Sequence, residues 1–254
     1  MDELLELLER YAPGYRGQID GYPDLLLDEL EETFGRALPA SYRGFAQVMG
    51  ARGGAVLSMV SAYDPLMDVA ALYRVMPMEM PPRRFLYLFG DPSPLAPTPY
   101  WLDLEAPSEG DDCQVVRMPL GEHTWKTKLS RDYVGLRELL FLWAMEQVHM
   151  PRFPAQALYQ RGPGQQASTG EDVAHILEKT GFKRLPYPRH SMLFEREDGA
   201  VRLYRPPEGM HFDIRVAMRN PDLLARFQAL IEDHTDLEKL VMNAGRPVGG
   251  GAIG

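Results

Sequence analysis

The stretch LEETFGRALPASYRGFAQVMGARGG, from Leu30 to Gly54, sets the reading of the chain. A helix is predicted to stop at Gly35, because glycine readily takes the left-handed conformation that closes a helix. Leu38-Pro39 then opens a second helix, since the fixed φ of proline suits a first helical position. That helix carries Tyr42, Phe45, Val48 and Met49 and is expected to end at Gly53-Gly54. Upstream, Leu25, Leu26, Leu27, Leu30 and Phe34 are read as one apolar stripe, with Pro23 in the first turn and Asp24, Asp28, Glu29, Glu31 and Glu32 on the polar side. Spacing of this kind would serve any helical hairpin.

The whole string is more particular than its parts. Glu31, Gly35, Leu38-Pro39, Tyr42, Phe45 and Gly53-Gly54 in this order resemble the opening of the SMI1/KNR4 family, also called the SUKH superfamily. Phe34 stands where that family usually has Leu, and Arg52 where Asn is common. Phe85 to Gly90, Tyr100 to Leu104, Val115-Val116 and a helix from about Ser130 are similar to the family's later strands and closing helix, so the resemblance covers roughly residues 20 to 148. It implies an α+β fold, a mainly antiparallel sheet packed with helices, that lacks catalytic residues. It also implies a bacterial immunity protein that binds and neutralises a partner toxin, often a nuclease. Eukaryotic relatives, associated with signalling and cell-wall regulation, imply the alternative of a regulatory scaffold.

Length and composition are consistent with a globular chain: 254 residues, 45% hydrophobic and 25% charged, allow one large domain or two smaller ones. The single cysteine, Cys113, cannot form an internal disulfide, which fits a reducing cytoplasm and a packing role. Met1 to Tyr11 alternates leucines with Asp2, Glu3, Glu6 and Glu9, the opposite of a positively charged secretory start. No apolar run has the length a membrane helix requires. Charge is uneven, with 23 acids against 13 bases in residues 1–150, or −10, and 13 against 14 in residues 151–254, or +1. An acidic front half disfavours direct nucleic-acid binding and favours a basic protein partner by long-range steering.

Ala55 to Ser61 reads as a strand, Val69 to Met76 as either helix or strand, and the proline- and methionine-rich Met76 to Pro82 as a surface loop. Phe85 to Phe89, Tyr100 to Leu104 and Gln114 to Met118 form an expected antiparallel meander around an acidic loop. A helix capped by Ser130 runs from Tyr133 to Val148. The domain organisation that follows is a first domain over 1–150, a linker over 151–170, a smaller helix-sheet-helix unit over 171–244 and a flexible glycine-rich tail over 245–254. The second unit has a capping box at Ser168 and Glu171, a helix stop at Gly181, a hairpin around Asp198-Gly199, a strand from Phe212 to Met218 and a helix opened by Asn220-Pro221. It is either a degenerate second copy or an unrelated appendage.

The motifs of chemistry are missing from the sequence. The six histidines lack metal-ligand spacing, no serine sits in a nucleophile elbow, and no glycine-rich loop precedes a Lys-Ser or Lys-Thr pair. No metal or cofactor is expected. Paired carboxylates remain, since strand alternation puts Asp103 and Glu105 on one face and Asp111 adjoins Asp112, which keeps a carboxylate-dependent hydrolase as a further alternative. The favoured reading is a binder. Its expected contacts with a basic toxin domain are the acids Asp24, Asp28, Glu29, Glu32, Glu105, Glu109, Asp111 and Asp112, with Tyr63, Tyr100 and Trp101 as aromatic anchors.

Overall fold

A computed structural model describes residues 1–60, 81–91, 97–121, 123–161, 169–208 and 212–240. Tyr63, the ambiguous Val69–Met76 stretch, most of the proline-methionine loop and the glycine-rich tail lie outside the described residues. The fold is α+β, with two antiparallel sheets. The chain divides into two compact units, Met1–Val148 and His149–Gly254.

In the first unit, α1 (Asp2–Tyr11) buries its leucines and Tyr11, and α2 (Asp24–Phe34) buries Leu27, Leu30 and Phe34. Gly35 closes α2 with φ of 68°, its N–H donating to the Glu31 and Glu32 carbonyls. Glu31 also reaches forward: its Oε1 accepts the Leu38 N–H at 3.0 Å, which ties the end of α2 to the start of α3 (Ala40–Met49). Carboxylate, glycine and Leu-Pro are therefore one turn. The single apolar stripe read over residues 25 to 34 is corrected at Leu25, which is 69% exposed. At about 100° per residue it lies roughly opposite Leu27 and Phe34 on the helix.

α3 ends at Met49 with Gly50 following, earlier than Gly53-Gly54. The glycine pair instead leads a 3-10 turn, Gly54–Leu57, in place of the expected strand. Tyr15 explains the difference, because its hydroxyl donates to the Gly53 carbonyl at 2.8 Å and accepts the Val56 N–H at 2.9 Å, folding the segment back on itself. Gly54 adopts φ of +60°, and a Cβ there would fall 2.9 Å from the Tyr15 oxygen.

The first sheet is a meander in the order β1 (Phe85–Phe89), β2 (Tyr100–Ser108), β3 (Asp112–Arg117) and β4 (Ser130–Tyr133). Ser130 thus belongs to a strand and does not cap a helix. Between β3 and β4 lies one helical turn, α4 (Thr124–Thr127), and after β4 comes α5 (Leu136–Trp143), continued by a wider π turn over Ala144–His149. α5 covers the sheet through Trp143, whose ring centre is 5.4 Å from both Phe89 and Tyr100, while Phe45 of α3 meets Phe89 at 5.6 Å.

The second unit is a sheet of six strands in the order β10-β5-β9-β8-β7-β6, with two helices packed on one face. Its strands are β5 (Ala155–Arg161), β6 (Lys183–Arg184), β7 (Met192–Arg196), β8 (Gly199–Tyr204), β9 (Asp213–Met218) and β10 (Leu237–Leu240). The reading of 151–170 as linker is corrected over β5, an interior strand paired to β9 on one side and β10 on the other. Its proline- and glycine-rich flanks hid Ala157, Leu158 and Tyr159, all buried. α6 (Gly170–Lys179) is capped one residue away from the expected box, by Thr169 and Asp172, and α7 (Pro221–His234) is capped by Asn220 as expected.

Candidate functional site

The outer face of α2 carries Asp24, Leu25, Asp28, Glu29 and Glu32, all exposed. Helical geometry fixes this grouping, since positions three and four apart share a face. The acids differ in what they already hold. Arg43 of α3 sits 2.7 Å from Asp28, 3.5 Å from Asp24 and 3.1 Å from Glu31, and the Gln47 amide donates to Asp24 at 2.6 Å. The hydrogen bond to Asp28, then the charges of Glu31, Asp28 and Asp24, hold the Arg43 guanidinium above its ordinary pKa. Glu29 and Glu32 are in no ion pair among the described residues. The face therefore presents two unneutralised carboxylates and one bare leucine, edged by two aspartates that Arg43 partly neutralises. Leu25 was missed in the sequence because its type suggested core; its angular position on the helix was the signal available.

The acidic loop behaves differently from its reading as a contact. Asp111 and Asp112 follow Gly110 at the β2–β3 turn and serve as caps for two helices. Asp111 Oδ2 accepts the Ala40 N–H at 2.9 Å, and its carbonyl accepts the Ser41 N–H at 3.2 Å, at the start of α3. Asp112, 4% exposed, accepts the Leu136 and Arg137 N–H groups at 3.2 and 2.9 Å at the start of α5. It also takes the Ser41 hydroxyl at 2.7 Å and its neighbour Cys113's N–H at 2.8 Å. The carboxylates meet the positive ends of these helices, where unpaired N–H groups favour negative charge. Asp112 is thus buried structure and is not available to a partner. Glu105 and Glu109 remain exposed on the same hairpin, Glu105 with Arg84 at 3.5 Å.

Both described aromatic candidates are core. Trp101 is fully buried and donates its indole N–H to the Met118 carbonyl at 3.1 Å. Tyr100 lies beneath the Arg117 guanidinium, 4.7 Å from its ring centre, and desolvation pushes its hydroxyl up to about 12. Arg117 meets Asp91 at 2.6 Å and Asp132 at 3.9 Å. Burial holds the Asp132 carboxyl above the usual carboxylate range, against the opposing effects of Ser130 and Arg117. With the folded-state pKa raised, the folded chain binds more protons than the unfolded one between the ordinary carboxylate value and the raised value. Stability contributed by Asp132 is therefore greatest at low pH and declines as pH rises through that window. Asp132→Asn is expected to remove that decline, so that stability rises more, or falls less, from acid to neutral pH than in the wild type, read by urea unfolding across that range. An unchanged slope would contradict the assignment.

Asp103, the strand carboxylate of the hydrolase alternative, is 0% exposed and holds Arg84 with both oxygens at 2.6 Å. Cys113 is buried, and desolvation raises its thiol to about 11, well away from thiolate chemistry at neutral pH. Among the described residues there is no group of three His, Cys, Asp or Glu side chains placed to hold a metal, and no helix is long and apolar enough to cross a membrane. No family model matches the chain, and no curated protein matches it.

Proposed function

We propose that the protein is a non-catalytic binding module, an immunity protein that captures and neutralises a basic toxin domain with the outer face of α2. The observation carrying this reading is the pairing of Leu25 with Glu29 and Glu32 on one exposed helix face. An apolar anchor ringed by charge is how protein interfaces divide affinity from steering. The acid excess of the first unit would attract a toxin surface made for nucleic acid, and the resemblance to the SMI1/KNR4 family supports the same reading. On this reading the protein acts in the cytoplasm, where its lone thiol stays reduced.

Coexpression with the product of the neighbouring gene tests the proposal. Growth rescue and tight binding are expected, with an association rate that falls steeply as salt rises. Glu29→Lys with Glu32→Lys is expected to slow association by about tenfold or more at low salt, and Leu25→Ala to speed dissociation. Binding indifferent to all three substitutions would move the contact away from α2. Salt-independent capture of a cellular protein, without rescue, would favour a regulatory scaffold.

A further inference from the structure

Of the three tryptophans, Trp101 and Trp143 are buried, and only Trp125 is partly open to solvent. It sits on α4, which is fixed by the Thr124 hydroxyl donating to the Pro119 carbonyl at 2.7 Å and to the Gly121 carbonyl at 3.0 Å. The indole lies against Phe85 at the start of β1, ring centres 6.2 Å apart. Phe85 is wholly buried, so Trp125 covers that end of the sheet with part of its surface and leaves the rest open.

The charges nearest Phe85 offset each other, Arg84 lying over its ring at 5.1 Å and bonded to Asp103, the cross-strand partner of Phe85, but three further cations lie close by along the chain. Lys126 Nζ lies 5.1 Å from the Trp125 ring centre, Lys128 ends the same turn with its N–H on the Thr124 carbonyl at 2.8 Å, and Arg83 stands two positions before Phe85. All three cations are exposed and in no ion pair among the described residues, whereas neighbouring Arg84 is held by Asp103. In residues 1–150, where acids exceed bases by 10, three exposed cations in no ion pair among the described residues lie within three positions of Trp125 or two of Phe85.

We propose that this patch is a second docking surface, one that takes a short acidic segment of a partner protein. An apolar side chain of the segment lies on Trp125, and its carboxylates meet Arg83, Lys126 and Lys128. Tryptophan and arginine are the residues in which interface energy concentrates, and exposed cations in no ion pair among the described residues lose little when a carboxylate reaches them. Charge complementarity selects the occupant. A nucleic acid needs a broad positive surface, and three cations on a chain of net charge −9 do not supply one. The segment is short because a longer acidic one would run onto the acids that dominate the unit. This surface is independent of the α2 face and opposite to it in sign, so either assignment can fail without the other.

The test uses the full chain and a short labelled peptide of alternating glutamate and leucine, read by fluorescence anisotropy at low salt. The lysine-leucine counterpart and a single-stranded oligonucleotide serve as comparators. Saturable binding of the acidic peptide is expected, weakened about tenfold by Lys126→Glu with Lys128→Glu and by Trp125→Ala. The lysine pair lies on the surface, so its substitution keeps the test valid if Trp125→Ala disturbs Phe85. Near-ultraviolet circular dichroism from Trp101 and Trp143 checks the fold of each variant. The proposal is overturned if the acidic peptide fails to bind, if its affinity is unchanged in the lysine pair variant, or if either comparator binds more tightly.

Discussion

Asp112→Ala is expected to lower the unfolding free energy of the first unit by about 3–4 kcal/mol, the sum of a lost cap and of buried donors left without acceptors. This carboxylate serves two backbone N–H groups of α5, the Cys113 N–H and the Ser41 hydroxyl from an almost fully buried position. A methyl group cannot replace an acceptor for those α5 donors. The fit is close: a Cβ on Gly135 would come within 2.5 Å of Asp112 Oδ2, so glycine before α5 is what lets the carboxylate approach. Asp112→Asn keeps one acceptor oxygen and a similar shape and is expected to lose less. Asp111→Ala removes an exposed cap from one helix and costs about 1 kcal/mol. All three tryptophans lie in residues 1–148, so tryptophan emission during urea unfolding follows this unit. An Asp112→Ala variant within 1 kcal/mol of the wild type would show that water replaces the carboxylate at no net loss and would refute the cap.

The same two aspartates mark where the sequence stops being legible. Glu31, Gly35 and Leu38-Pro39 could be read directly, because every interaction in that turn lies within seven residues. The meander was legible from its unbroken apolar runs, Phe85 to Phe89 above all. Asp111 and Asp112, by contrast, make their bonds to residues 71 and 24 to 25 positions away, and composition alone presents such a pair as solvated charge. The 3-10 turn at Gly54 was hidden for the same reason, since Tyr15 acts on it from 38 and 41 residues upstream. β5 was missed on other grounds. Two-sided pairing in the sheet outweighs weak local propensity, so a strand can stand between proline and glycine flanks. Of the proposed contacts, Glu29 and Glu32 keep exposed positions, while Tyr100, Trp101 and Asp112 have structural partners. Residue type does not tell a buried aromatic from an interface anchor. Burial does.

Arg84→Ala is expected to cost the first unit about 2–3 kcal/mol, because it strands the buried Asp103 carboxylate without its counter-charge, a loss limited by the water that the part-exposed Arg84 position admits. Asp103 receives two charge-assisted bonds from Arg84 at 2.6 Å, and its Oδ1 also accepts the Glu105 N–H at 3.1 Å, so both oxygens are committed within the sheet. Asp103→Asn is milder, about 2 kcal/mol, since the Arg84 side chain is 30% exposed and water can reach it. Replacing both partners together, Arg84→Met with Asp103→Leu, is expected to recover most of the loss, because an apolar pair avoids desolvating two charges. This cycle also separates binder from hydrolase. A general acid or base must touch its substrate, so the catalytic alternative requires Asp103→Asn to abolish an activity at unchanged stability. The ion pair requires the reverse: lowered stability in each single variant, recovery in the double, and partner binding by the α2 face retained wherever the unit remains folded. Equal stability of the wild type and Arg84→Ala would remove the structural role assigned to Asp103 and reopen the carboxylate to chemistry.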